Sequence, residues 1–194
     1  NLRDNETLLQ KALSNPTFEV YEGPARIMKA YMAAALTDMY GDVPYFEALQ
    51  GKEGNVTPVY DLQEDIYLNE EGILDNLRKG IAALEAYEGA NPLEGAILFT
   101  GDLDSWIRVG NSLLIKHLVR VSAIENVVGE LQGLYDAGNY LMDNSQNAVF
   151  DFTDGQPFRN HFSGANGPTG LQLSDFLGYG LFVGRSCRAR PHFR

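Results

Sequence analysis

Three histidines, a single cysteine and scattered pairs of carboxylates are the residues from which this chain could build acid–base, nucleophilic or metal chemistry. None of them stands at a working spacing. His117 lies mid-helix between Lys116 and Leu118, where a packed histidine is expected. His161 lies in a Gly-rich stretch and His192 near the end. No H-x-x-x-H or H-E-x-x-H pair, G-x-S-x-G elbow, P-loop or G-x-G-x-x-G turn occurs. Asp102-Leu103-Asp104 lacks the third ligand, central Gly and closing Glu of a calcium loop, so Asp102 is read as a helix cap. Glu70-Glu71 falls on a solvated helix face, with nothing to set the two carboxylates across a cleft as glycoside hydrolysis requires. Catalysis needs clustered groups, and the sequence supplies none. The expectation is a protein that is not an enzyme and uses no cofactor or metal.

A second kind of chemistry is stacking and hydrogen bonding to an uncharged ligand. Aromatic residues make up 11% of the chain, with ten Tyr against one Trp. Most are expected in the core. The loop-like stretch 154–170 carries Phe158, Asn160, His161, Phe162 and Asn166, which are the candidate ligand contacts.

The elements that must position such groups are helical. Met28, Met32, Leu36 and Met39 recur at spacings of three and four, joined by Tyr31 and Ala35, which predicts a helix from Pro24 to Tyr40. Ala33–Ala35 allow a close neighbour, Gly41 supplies a stop, and Pro44 prevents resumption. Asp61-Leu62-Gln63-Glu64 resembles a capping box and opens a predicted helix from Leu62 to Tyr87. Its stripe is Ile66, Ile73, Leu74, Leu77, Ile81 and Leu84. A third helix is predicted from Asp102 to Glu125, with Trp106, Val109, Leu113, Leu118 and Val121 inward and Gly110 at a helix approach. A fourth is predicted from Val127 to Met142, with Val128, Leu131, Leu134, Tyr135 and Leu141 inward. Beyond these, Ala148–Phe152 reads as extended and Leu171–Leu177 as a short helix.

Four helices in two antiparallel pairs make an all-α, solenoid-like arrangement. The tetratricopeptide period of about 34 residues is absent from the sequence, so any likeness to such repeats is one of geometry. The 194 residues fit a single domain, with residues 1–184 read as one incomplete helical domain. Arg185–Arg194 form an atypical basic tail with four Arg and no acid, read as an end not native to the chain.

Hydrophobic residues at 44% and charged residues at 21% support a folded chain rather than disorder. The net charge of −11 argues against nucleic acid and against adsorption to an anionic membrane surface, while neutral sugars remain compatible. One cysteine, Cys187, permits no internal disulfide, and no run of about 18 apolar residues marks a membrane span.

Three stretches carry a family resemblance. The first is Tyr40-Gly41-Asp42-Val43-Pro44-Tyr45. The second is Thr57-Pro58-Val59-Tyr60-Asp61, followed by Gln63-Glu64-Asp65-Ile66-Tyr67. The third is Gly101-Asp102 with Trp106, then Asn111-Ser112-Leu113-Leu114, Arg120 and Ser122. In this order and spacing they resemble the signatures of the SusD/RagB family, from about Arg26 to Leu177. The structural signature positions are thus Gly41, Asp42, Pro44, Pro58, Tyr60, Asp61, Trp106, Asn111 and Arg120. Trp106 is expected in the core and Arg120 at the acceptors of a helix C-terminus.

The resemblance implies tetratricopeptide-like helix pairs under long loops. It also implies a bacterial outer-membrane, cell-surface protein held by a lipid on an N-terminal Cys that this chain does not carry. Its implied partners are an oligosaccharide or other nutrient and a TonB-dependent transporter. Family members are usually much longer. A helical-repeat scaffold binding a protein is the alternative.

Overall fold

In the computed structural model, residues 2–96 and 98–149 are described. The expectations placed on Phe158–Asn166, Leu171–Leu177 and Arg185–Arg194 lie outside them. The first helix, α1 (Leu2–Ser14), was not read from the sequence. Leu2, Leu9 and Leu13 of α1 recur at helical spacings of seven and four, and Leu9 and Ala12 are buried. α1 is fastened to the next helix by polar groups: Asn5 Nδ2 donates to the Ala25 carbonyl at 2.8 Å and Lys29 pairs with Glu6 at 3.0 Å.

α2 (Glu22–Tyr40) starts two residues before its proline and ends at Gly41, whose φ of 76° suits a residue without Cβ. Its buried face is Ala25, Arg26, Ile27, Ala30, Ala33, Ala34 and Thr37. The expected Met/Leu/Tyr stripe is helical, but only Met28 packs on the core, while Tyr31 is 51%, Leu36 38% and Met39 72% exposed. The reason is steric. A Cβ on Gly80 of the facing helix would lie 3.0 Å from the Gly23 carbonyl oxygen. Backbones this close admit alanine but not methionine between them.

The predicted helix Leu62–Tyr87 is two helices, α3 (Gln63–Leu68) and α4 (Ile73–Glu85). Side chains hold the chain open between them. The Asp75 carboxylate accepts from Glu71 N at 2.7 Å, and Asn76 Nδ2 donates to the Gly72 carbonyl at 2.9 Å. Glu71 sits at φ 59°, which costs a non-glycine residue energy that these bonds offset. The stripe itself is as expected: Ile66, Ile73, Leu74, Leu77, Ile81 and Leu84 are all buried.

α5 (Leu103–Val121) is capped by Asp102, whose Oδ2 accepts from Ser105 N at 3.0 Å. A Cβ on Gly110 would meet Ile81 Cγ1 at 2.8 Å and Ile27 Cδ1 at 3.0 Å, so α5 approaches α2 and α4 at this glycine. α6 (Val128–Ala137) stops at Gly138, φ 64°, well before Met142. Val128 and Tyr135 are 72% and 67% exposed rather than inward, while Leu131 and Leu134 pack on the core. The helices form a ladder, α1 on α2, α2 on α4, α4 on α5 and α5 on α6. All are helices with one isolated antiparallel bridge, Val43 to Asp61, among the described residues.

His117 on α5 is 1% exposed, its ring 5.7 Å from that of Tyr67. Burial, then the charge of Lys116, pull its pKa down to about 4; Asp38 opposes this and Arg120 adds to it. The unfolded chain therefore takes up a proton near pH 6.5 that the folded chain refuses until about pH 4. Stability is full above pH 6.5 and is lost as pH falls from 6.5 to 4, by roughly 3 kcal/mol in total from this group. Urea unfolding at pH 7.5 and pH 4.5 measures it. The His117→Leu variant is expected to lose markedly less over that interval, and an equal loss would contradict the assignment.

Candidate functional site

The signature residues of the first two motifs form one interlocked joint at the end of α2. After Gly41, the Asp42 Oδ1 reaches forward and accepts from Gln63 N at 2.9 Å, capping the start of α3. Asp61 works in the opposite direction. Its Oδ2 accepts from Tyr45 N at 2.8 Å and Phe46 N at 3.0 Å, so it pins the turn after Pro44 and does not cap its own helix. Between the two, Asp61 N donates to the Val43 carbonyl at 3.1 Å, and Gln63 Nε2 to the Thr37 carbonyl at 2.7 Å. The first two motifs are therefore two halves of one clamp on the end of α2. Pro58 is half-buried beside it, and Tyr60 is 74% exposed.

The third motif anchors α5. Trp106 is 6% exposed with Phe99 edge-on at 5.6 Å. Asn111 Nδ2 donates to the Asn139 carbonyl at 2.8 Å, and Ser112 Oγ accepts from Leu141 N at 2.8 Å, so this pair ties down the segment after α6. Arg120 does not turn to a helix end. It pairs with Asp38 of α2 at 3.0 Å and lies 6.0 Å from the Tyr67 ring centre. Asp38 also accepts from Tyr67 Oη at 2.7 Å, and burial first, then this bond, push the phenol above its ordinary range.

A buried ionic group locks α2 to the α3–α4 break. Arg26, 6% exposed, donates to Glu22 at 2.8 Å, Glu71 at 3.1 Å and Asn76 at 3.0 Å. Burial works against ionisation of Glu71, but Lys79 and Arg26 outweigh it and hold its carboxyl below the ordinary range. Tyr45 Oη donates to the Glu71 carbonyl at 2.9 Å. Burial, with Glu71 and Glu6 nearby, raises the phenol's pKa, so Tyr45 stays neutral.

Above this group opens a cleft of about 540 Å³ between α1, α2 and the segment 43–53. Tyr45 and Phe46 lie in its lining, edge to face at 5.0 Å and 81°. Glu6 and Gln10 of α1, Lys29 of α2, and Gln50 and Glu53 of the loop bring polar groups to it. The sequence offered the Pro44-Tyr45-Phe46 run as a signal, but α1 was unread and so the opposite wall was missing. Other grooves open elsewhere, among them two lined by aromatic rings. One, of about 430 Å³ beside Trp106, is almost wholly apolar. The other runs along α6, where Tyr135 and Tyr140 stack at 6.3 Å. The expected contacts Phe158, Asn160, His161, Phe162 and Asn166 lie outside the described residues. Among the described residues no group of three or more metal-ligating side chains exists, and no helix is long and apolar enough to cross a membrane.

Residues 1–177 match the family model described as SusD-like, starch-binding, associating with the outer membrane. No curated protein shows significant similarity. Among solved structures, a SusD homologue from Bacteroides fragilis matches with a TM-score of 0.62 and 22% identity, over 74% of this chain and 31% of its own. A chitin-binding protein matches with a TM-score of 0.62 and 27% identity, over 77% and 31%. An outer-membrane protein of Bacteroides vulgatus, assigned to nutrient binding, matches with a TM-score of 0.63 and 24% identity, over 81% and 34%. The chain spans about a third of the length of these structures. Over the matched part their fold is the helical one found here, and the family is one of binding proteins. With the first two motifs joined in one clamp, the third anchoring α5, and the family model matched along nearly the whole sequence, the chain belongs to the SusD-like family of outer-membrane-associated nutrient-binding proteins.

Proposed function

We propose that this chain is part of a cell-surface receptor that binds an oligosaccharide without catalysis and passes it to a TonB-dependent outer-membrane transporter. The single observation that carries this is the family match over residues 1–177, whose description is starch binding at the outer membrane. The chitin-binding relative at 27% identity supports a glycan as the nutrient. The acidic net charge of −11 supports a neutral one, since like charges would repel a uronate or sulfated chain. In the full-length protein a lipid on an N-terminal Cys is the proposed anchor. A protein-binding scaffold is the second reading, supported by the exposed ridge Leu36, Met39 and Tyr40 at the end of α2. Such a ridge equally suits contact with the transporter.

Affinity electrophoresis of the full-length protein through gels containing starch, soluble chitin or polygalacturonate tests the ligand class. Purification of the tagged protein from solubilised outer membranes tests the partner. Retardation by a neutral glycan and co-purification of a β-barrel transporter are expected. Unretarded migration in every gel, with only soluble proteins recovered, would overturn the proposal.

A further inference from the structure

The cleft between α1, α2 and segment 43–53 has the chemistry of a sugar subsite. A pyranose offers an apolar C–H face and a rim of hydroxyls, so its site needs an aromatic surface ringed by donors and acceptors. Phe46 supplies the aromatic surface. It is half-buried, its ring is braced edge-on by Tyr45, and its backbone N–H is pinned by Asp61. Tyr45 is fixed in turn through its hydroxyl to the Glu71 carbonyl. The platform is therefore ordered before a ligand arrives, which lowers the cost of binding. The rim carries acceptors at Glu6 and Glu53 and donors at Lys29, Gln10 and Gln50, from both walls of the cleft. Glu6 is held by Lys29 at 3.0 Å and by Gln10 at 2.8 Å, a rim already oriented by its own bonds. The groove beside Trp106 has no comparable polar rim, being lined chiefly by aliphatic and aromatic side chains.

We propose that this cleft is a subsite for a neutral, hydroxyl-rich oligosaccharide, with Phe46 stacking on a sugar ring and Glu6, Gln10, Lys29, Gln50 and Glu53 bonding its hydroxyls. The assignment rests on the receptor reading above and adds a location and a ligand charge class. Three carboxylates, Glu6, Glu53 and Glu71, against the two cations Lys29 and Arg26 in the cleft lining disfavour uronic acids.

The test is calorimetric titration of the full-length protein and variants with maltohexaose, chitohexaose and hexagalacturonate. Phe46→Ala is expected to weaken binding of the preferred neutral sugar about tenfold. Because that change can also loosen the loop, the paired variant Gln10→Ala/Glu53→Ala provides the second arm. Both of its side chains are exposed, and circular dichroism is expected to be unchanged. A loss of about fivefold or more in the paired variant supports the subsite. Unchanged affinity in both variants, in a protein that still binds a neutral sugar, overturns the subsite and leaves the receptor reading standing. Tighter binding of hexagalacturonate than of either neutral sugar overturns the charge class. Failure of the native protein to bind any of the three overturns subsite and receptor together.

Discussion

Replacing Arg26 with alanine is expected to destabilise the chain by about 3–4 kcal/mol. Removing one partner of a buried ion pair strands the others, and typical costs run from about 3 to 5 kcal/mol. Here the stranded groups differ. Asn76 is fully buried and loses a donor it cannot replace with water. The Glu22 and Glu71 side chains are 23% and 43% exposed, so water recovers part of their loss. That places the cost at the lower end of the range, with the buried stem of Arg26 adding lost packing. Lys79→Ala is the control. Lys79 also pairs with Glu71, at 2.6 Å, and with Asp75, at 2.8 Å, but from a solvated position. Its removal is expected to cost no more than about 1 kcal/mol. Urea denaturation at pH 7.5 measures both, and equal costs would show that Arg26 is not the lock between α2 and the α3–α4 break.

Gly23→Ala is expected to destabilise by about 2 kcal/mol, against the helix-propensity trend. Propensity alone predicts a gain of about 1 kcal/mol for alanine within a helix. The added Cβ, however, would clash with the Leu84 side chain and lie 2.8 Å from the Gly80 carbonyl oxygen. Leu84 is 4% exposed and cannot swing into solvent, and the carbonyl belongs to the backbone of α4. Overpacking at such a contact costs about 1–3 kcal/mol or more. Gly129→Ala and Gly133→Ala supply the contrast. Both lie within α6 with open space at the Cβ position, so each is expected to stabilise by about 0.5–1 kcal/mol. Thermal unfolding of the three variants tests the sign as well as the size. A stabilising Gly23→Ala would mean that α2 and α4 are not in close backbone contact there.

The helices at the centre of the ladder were the most legible part of the sequence. α4 and α5 carry broad apolar stripes, and Asp102, Gly41 and Gly110 each do what their residue types suggest. Periodicity found α2 but not its deepest face, because small residues at a close crossing carry little hydrophobic signal. The break between α3 and α4 was hidden because tertiary bonds to Glu71 and Asn76 make it, not a proline. α6 was drawn too long because Gly138 was passed over as an ordinary helical residue. α1 was missed although Leu2, Leu9 and Leu13 recur at helical spacings and Leu9 and Ala12 are buried. The cleft went unread with it: one of its walls is α1. The signature motifs marked the family, and the structure shows why they do so. The first two hold the end of α2 to the start of α3 and the third anchors α5, tasks set by the fold whatever the ligand.

The central claim is that this chain belongs to a receptor for a neutral glycan. Calorimetry of the full-length protein against maltohexaose and chitohexaose tests it most directly. Saturable one-site binding of at least one of them, with no reducing ends released over the titration, is the result the account predicts. Absence of heat with both sugars from a protein of native helical content, or release of reducing sugar, would contradict it.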